Sequence, residues 1–516
     1  MFGLALHAGG GFMTNPTTLV RRTAHLLQAD PDRVILRFFL PGHEMAAHGI
    51  PHADPVIHRV LKMSEEEVSQ TFSKIIERYI TRHDDHDLFA AFAEHFGHVV
   101  HHIPKNIEVS KEKRDLIGAY FTREFAVEGA ALFNPSVVAH PDQTALADGE
   151  LRFIMSVRAL GEGHISSIEF RTGVLTPPYE VRLDDPGHRL IAGRTSPATM
   201  TREYLRDFFA GHSSEVAVEQ LLNLLPAQFD VGRLDVIMTA LERDELTNDG
   251  ARAIISQIRR IAYSNYWLNF PADHLLSERV IYPSGADESQ GMEDVRFTRF
   301  IDDDGRAYYY GMYTAFDGSR LNQYLLETTN FHTFDITKLL GLAARNKGMA
   351  LFPRRIKGQY VALSRWDNEN ISVALSSDIK KWDTSFELPI PRQPWEFVKL
   401  GNCGSPIETP EGWLVVTHGV GAMREYSIGV ILLDLDDPTK IIGALDQPLI
   451  TPAEDERDGY SPNVVYSCGA LLHQQTLLLP YGCSDHTIRI ALVDLPGLMN
   501  QLRPPSVSST YDAVDN

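Results

Sequence analysis

Cysteine is scarce, with three in 516 residues, Cys403, Cys468 and Cys483, at irregular spacing. That excludes a disulfide framework or a zinc knuckle and leaves ordinary thiols of a reducing compartment. Long apolar runs are missing as well. No stretch approaches the ~18 residues of a membrane span. The opening MFGLALHAGGGFM lacks the basic flank of a signal peptide, so a cytoplasmic protein without a membrane partner is expected. Positive charge is in deficit: Lys and Arg number 48 against 68 Asp and Glu, a formal charge of −20 that opposes binding to phosphate backbones. Nucleic acid is not an expected partner. What is present is length, with 43% hydrophobic and 22% charged residues, enough for several domains or for one large domain with insertions.

Two blocks read as helical. In SEEEVSQTFSKIIERYITRH, Ser64 and Glu67 have capping-box spacing, and Val68, Phe72, Ile75 and Tyr79 then recur at helical intervals. A second helix follows through Leu88, Phe92, Phe96 and Val99, and a third around 111–124. The other block, about 201–262, carries TREYLRDFFAG, EVAVEQLLNLL and ARAIISQIRRIAYSNYW, broken by Gly211 and Pro226.

The remainder repeats one pattern: a turn with glycine or a polar pair, a short apolar strand ending in a polar residue, a loop and a partner strand. It appears as DGELRFIMSVRA, DGRAYYYGMYTA, KGQYVALSRW, EGWLVVTHGV and HQQTLLLPYGCSD, each followed by a second strand such as HISSIEFRTG or YSIGVILLDLDD. Antiparallel units that cannot bury both faces alone are expected to stack radially, so the fold class is all-β, a five-bladed β-propeller with α-helical N-terminal and inserted segments. The division along the chain is an N-terminal segment 1–125 with helices at about 64–124, a propeller over 126–175 and 264–498, a helical insertion at 199–262 and a tail at 499–516. The residues at the strand ends, Arg158, Thr314, Arg365, His418 and Asp485, should gather around one central channel.

With their neighbours these positions supply several cations, Arg158, Arg320, Lys399 and His418, and few carboxylates, chiefly Asp294 and Asp485. An inverting glycosidase needs one carboxyl to protonate the leaving oxygen and another to activate water. Phosphate is already anionic and needs no such base. One acid among cations therefore suits phosphorolysis better than hydrolysis.

LFNPSVV at 132–138, GMEDVRF at 291–297, MALFPRRIKGQYVALSR at 349–365, VKLGNCGSPIETPEGWLVVTHGV at 398–420 and SPNVVYSCGALL leading to YGCSD resemble glycoside hydrolase family 130, the inverting β-mannoside phosphorylases and related β-mannosidases. The resemblance spans about 130–175 and 280–498 and implies a five-bladed propeller. It also implies cleavage of a β-mannoside or mannooligosaccharide by inorganic phosphate, to give α-mannose 1-phosphate, with no other cofactor. Residue by residue, it places the general acid on Asp294, acting through the mannose 3-hydroxyl. Phosphate ligands fall on Lys399 and His418, with Arg320 a third and Lys347, Arg355 or Arg365 a fourth, while Asn134, Arg158 and Asp485 resemble the mannosyl subsite. Arg296 matches the motif arginine; Glu293, one position from the acid on an extended strand, is expected to face the opposite side. Val295 stands where the family has proline, and GNCGSP replaces its usual glycine and proline run.

The alternatives are a β-mannoside hydrolase, with Glu327 or Glu408 as base, and a non-catalytic carbohydrate-binding propeller. His95, His98 and His102 on one helical face and HDDHD at 83–87 read as solvated surface rather than a metal site, and DDDG at 302–305 reads as a hairpin turn rather than a calcium loop. The second helical block enters between the first repeat and the loop before Asp294. It is expected to narrow the acceptor side of the cleft and, with the first block, to contribute contacts in a homo-oligomer.

Overall fold

The computed structural model describes residues 19–40, 53–177, 179–210, 215–243, 249–389 and 393–504. It is mostly β with helices at the two expected places. The first helical unit is α1 (Ala53–Lys62), α2 (Glu65–Tyr79), α3 (Asp85–Val99) and α4 (Lys111–Tyr120). Ser64 and Glu67 form the reciprocal capping box, with Ser64 Oγ accepting from the Glu67 N–H and the Glu67 carboxylate accepting from the Ser64 N–H. Apolar faces of α1 to α4 close on Ile57, Val68, Val99 and Phe121. The third helix ends earlier than its pattern suggests: Thr122–Ala126 is a strand paired with Val34–Phe38.

The repeated pattern resolves into antiparallel meanders, each larger than the two strands visible in the sequence. The first runs Ala131–Ala139, Leu151–Leu160, Ser166–Thr176 and Glu180–Leu183. The second is Gly291–Ile301, Ala307–Phe316, Leu321–Thr328 and Thr333–Lys338, with one ladder pair to the first, Gly291 with Ser166. Lys347–Leu351, Tyr360–Arg365, Ser372–Ser376 and Thr384–Glu387 make the third. Lys399–Asn402, Gly412–Val420, Tyr426–Leu433 and Ile441–Ala444 make the fourth. In the fifth, Val465–Tyr466, Thr476–Cys483 and Thr487–Asp494 are completed by Val20–Leu27, so the amino-terminal segment supplies a strand that the sequence reading did not foresee. The DDDG stretch is the hairpin between two strands of the second meander, with Gly305 N–H donating to the Asp302 carbonyl.

The insertion folds as α5 (Arg202–Phe209), α6 (Glu215–Leu222), α7 (Val231–Glu242) and α8 (Asp249–Tyr263) around Leu205, Phe209, Leu234 and Ile258. It is anchored in two ways. Strands Arg194–Pro197 and Tyr266–Asn269, on either side of it, extend the outer edge of the second meander and shield it. Arg260 of α8 also pairs with Asp287 at 2.6 Å and Asp317 at 3.0 Å, tying the insertion to the loop that precedes Asp294.

Candidate active site

Asp294 owes its placement to a bulge. In the strand Gly291–Ile301, Glu293 pairs with Thr314 and Arg296 with Met312, so Asp294 and Val295 together oppose one residue, and Asp294 takes a left-handed backbone at φ 54°. The first meander repeats the device. Phe133 pairs with Arg158 and Ser136 with Ser156, leaving Asn134 and Pro135 opposite one residue, with Asn134 at φ 49°. In the third meander the register slips between Lys347 and Ala350, and Gly348 lies at φ 91°.

These bulges bring distant side chains together. Asp294 Oδ1 accepts from Asn134 Nδ2 at 2.8 Å and from Arg158 Nη1 at 3.2 Å. Arg158 Nη2 donates to Glu293 Oε1 at 2.9 Å, and Lys347 Nζ donates to Glu293 Oε2 at 2.5 Å. Glu293 therefore does not face away from Asp294. The alternation assumed for an extended strand fails because the bulge turns Asp294 out of register, and both carboxylates end against one guanidinium. Arg296 holds the acid from behind: it donates to the Asp294 carbonyl at 2.9 Å, the Cys403 carbonyl at 2.7 Å and Tyr466 Oη at 2.7 Å.

A cavity of about 370 Å³ is lined by Asn134, Arg158, Asp294, Lys347, Arg365, Lys399, His418 and Asp485, with Arg424 and Tyr426 also on its wall. Four of the five strand-end residues expected around one channel meet here. The fifth, Thr314, is buried and accepts from Gln323 Nε2 at 2.8 Å without lining the cavity. Of the candidates for a fourth cation, Lys347 and Arg365 line it. Arg355 is turned away, paired with Asp302 at 2.9 Å. Arg320 is not brought in; it lines the neighbouring cavity. Neither Glu327 nor Glu408 is on the wall, Glu408 pairing with Arg354 at 2.6 Å beside a separate cavity. Among the described residues no three His, Cys, Asp or Glu groups are placed to hold a metal. His95 instead hydrogen-bonds Thr122, and burial, with His98 and Arg37 nearby, pushes its imidazole down to about 4.

Arg365 needs glycine neighbours. A Cβ on Gly348 would lie 2.7 Å from Arg365 Nε, and one on Gly401 would lie 2.5 Å from both Arg365 Nη1 and His418 Cε1. Arg365 Nη1 donates to His418 Nε2 at 3.1 Å, which leaves Nδ1 to carry the imidazole proton, buried and without a partner among the described residues. Burial, reinforced by Arg365 and Arg296, holds His418 well below its usual value, so it is a neutral donor rather than one of the cations. Lys399, two residues before the Gly401 that pairs with His418, has a neutral partner, Asn368 Oδ1 at 3.1 Å, and is lowered by burial and by Arg365 and Lys347. Neither Arg365 nor Lys399 has a carboxylate partner among the described residues.

Burial by itself would raise Asp294, but the charges of Arg158, Arg296 and Lys347 and the Asn134 hydrogen bond outweigh it and hold the carboxyl at about 2. Asp485 moves the other way, raised by burial and by the nearby Asp294 despite its bond to Ser461. Two carboxyls in one cavity are thus driven apart. An ionised carboxylate, a second carboxyl of raised affinity for protons and a cationic wall thus share one cavity.

The family profile described as beta-1,4-mannooligosaccharide phosphorylase, that of glycoside hydrolase family 130, matches residues 268–504. A 1,2-beta-oligomannan phosphorylase of Thermoanaerobacter sp. strain X514 is 34% identical over 226 residues, 43% of this chain and 74% of that protein. A beta-1,2-mannobiose phosphorylase of Listeria innocua is 30% identical over 250 residues, 47% of this chain and 68% of that protein. The solved structure of a Listeria innocua beta-1,2-mannobiose phosphorylase with beta-1,2-mannobiose aligns with 73% of this chain and 92% of its own, at 21% identity and a TM-score of 0.42. The chain belongs to glycoside hydrolase family 130.

Proposed function

We propose that this protein is an inverting β-mannoside phosphorylase in which the five meanders are the blades of a propeller and the cavity is its central channel. The observation that carries the reading is the pair Arg365 and Lys399, cations on the cavity wall without a carboxylate partner among the described residues. Buried charge is costly unless it is met, and an inorganic phosphate meets it. Lys347, already paired with Glu293, stands apart from them, and His418 donates through Nδ1. Phosphate attacks the anomeric carbon opposite the glycosidic oxygen, that bond breaks, and Asp294 delivers a proton to the leaving oxygen by way of the mannose 3-hydroxyl. Asn134, Arg158 and Asp485 hold the mannosyl hydroxyls. Asp294 starts ionised, so it must take up a proton before cleavage; bound phosphate supplies the negative charge that offsets the surrounding cations and raises its affinity for one.

The test is incubation with β-1,2- and β-1,4-mannobiose, with and without inorganic phosphate, followed by NMR. The expected outcome is α-mannose 1-phosphate formed only with phosphate. Equal release of free mannose in both cases would establish the hydrolase instead. A homo-oligomer belongs to the same proposal and is checked by sedimentation velocity.

A further inference from the structure

Beside the catalytic cavity lies a larger one of about 710 Å³. Leu321 lines both, and the adjacent residues Asn346 and Lys347 line one each, so the two spaces are neighbours at the second and third meanders. One wall is the end of α5, through Phe208 and Ala210, which lies outside the stretch matched by the family profile. Asn322 and Gln323 line another. Gln323 is 1% exposed; its Nε2 donates to Thr314 Oγ1 at 2.8 Å and to the Asn346 carbonyl at 2.6 Å, while its Oε1 is buried with no donor among the described residues. Asn322 Nδ2 is likewise buried and unpartnered. An unmet buried amide costs ~1–3 kcal/mol, and such groups in a cavity call for a ligand that both donates and accepts. Much of the charge on the wall is already satisfied, since Lys381 pairs with Asp207 at 2.7 Å and lies 3.7 Å from Asp383. Arg320 and Arg345 are exposed cations on its lining. The chemistry on offer is hydroxyl recognition.

We propose that this cavity is an accessory subsite that receives sugar units beyond the bond being cut, and that α5 sets the preference of this protein for chain length. The inference rests on the phosphorylase reading for the identity of the sugar. In the catalytic cavity the nearly buried polar groups are Asn134, Arg365 and His418, Asn368 and Arg424 form an exposed rim, and the partly covered Leu321 is shared with the second space. A leaving oligosaccharide that exits past Leu321 therefore enters the α5 cavity. This refines the expectation of a narrowed acceptor side, because α5 adds binding surface for a third unit.

The experiment compares the full-length protein with Asn322→Leu and Phe208→Ala, each checked for an unchanged thermal unfolding transition. For β-mannotriose with phosphate, kcat/KM should fall about tenfold, the equivalent of ~1.4 kcal/mol, while β-mannobiose changes less than about twofold. Equal losses on the two sugars, or none on the trisaccharide, would overturn the proposal. If one variant does not fold, the other, on the opposite wall, carries the comparison. Calorimetric binding of the same sugars without phosphate separates the two readings. Should the wild type cleave neither sugar, the phosphorylase assignment fails. The subsite still stands if the affinity gained from disaccharide to trisaccharide is larger in the wild type than in the variants, and falls if it is the same.

Discussion

Removing one charge should move the acid a long way. Arg158 Nη1 is 3.2 Å from Asp294 Oδ1. At that separation and an effective dielectric near 20, the pair interacts by on the order of 5 kcal/mol. At ~1.4 kcal/mol per unit this is between about three and four pKa units, and half of it already returns the carboxyl to its ordinary value. Arg158→Gln keeps an amide donor and removes the cation. Asp294, held at about 2 in the native protein, should then titrate above 4. The assay is a ¹³C titration of the aspartate carboxyls, with Asp294→Asn identifying the resonance. A thermodynamic consequence follows with definite sign. Because its folded value is depressed from 3.8 to about 2, Asp294 adds stability above pH ~4 that is lost as pH falls toward 2, roughly 2 kcal/mol in all. The Arg158→Gln protein should lack that increment, so its stability should depend less on pH between about 2 and 4 than the native protein's. An Asp294 resonance that still titrates near 2 in the variant would refute the assignment of Arg158 as its principal partner.

Three further outcomes are expected. Asp294→Asn should lower kcat for phosphorolysis at least about a thousandfold, since an amide cannot deliver the proton, yet leave sugar affinity within about threefold by calorimetry; most of the activity retained would place the acid elsewhere. Phosphate binding should be accompanied by more proton uptake in the wild type than in Asp294→Asn, measured by calorimetry in buffers of different ionisation enthalpy; identical uptake would show that phosphate does not raise the acid. Arg33, 1% exposed, pairs with Glu128 at 2.8 Å and Glu169 at 2.7 Å and donates to the Ser277 carbonyl at 2.7 Å. Arg33→Met should therefore cost ~3–5 kcal/mol in denaturant unfolding, and a loss below ~1 kcal/mol would mean that the buried carboxylates find other partners.

The strands were legible because each pairs an apolar run with a turn signal, and the meeting of Asp294, Lys399 and His418 in one cavity was legible because they stand in recognisable settings. Three features were not. A bulge is a property of two strands in register, so nothing within GMEDVRF alone reveals that Asp294 and Val295 oppose a single residue. The Asn-Pro pair at 134–135 was the available signal, since proline cannot donate to a ladder and is tolerated at bulges. The pairing of Val20–Leu27 with Thr487–Asp494 is set by an edge left open at the other end of the chain, which local pattern cannot register. The neutrality of His418 depends on burial and on Arg365, both consequences of the assembled sheet.

The three bulges also explain how one repeated device yields different functions. Asn134, Asp294 and Gly348 occupy equivalent positions in the first strands of successive meanders, each with positive φ. For the two non-glycine residues such backbone costs ~1–3 kcal/mol and persists only where the surroundings fix it. In the first meander it presents an amide, which donates to the acid. In the second it presents the acid, with the preceding Glu293 left to engage Arg158 and Lys347. In the third the side chain is absent, and that absence makes room for Arg365, whose Nε lies 2.7 Å from where a Cβ on Gly348 would stand. Amide, carboxyl and empty space at three equivalent bulges thus set a hydrogen-bond donor, the Asp294 carboxylate and a buried cation of the cavity beside one another.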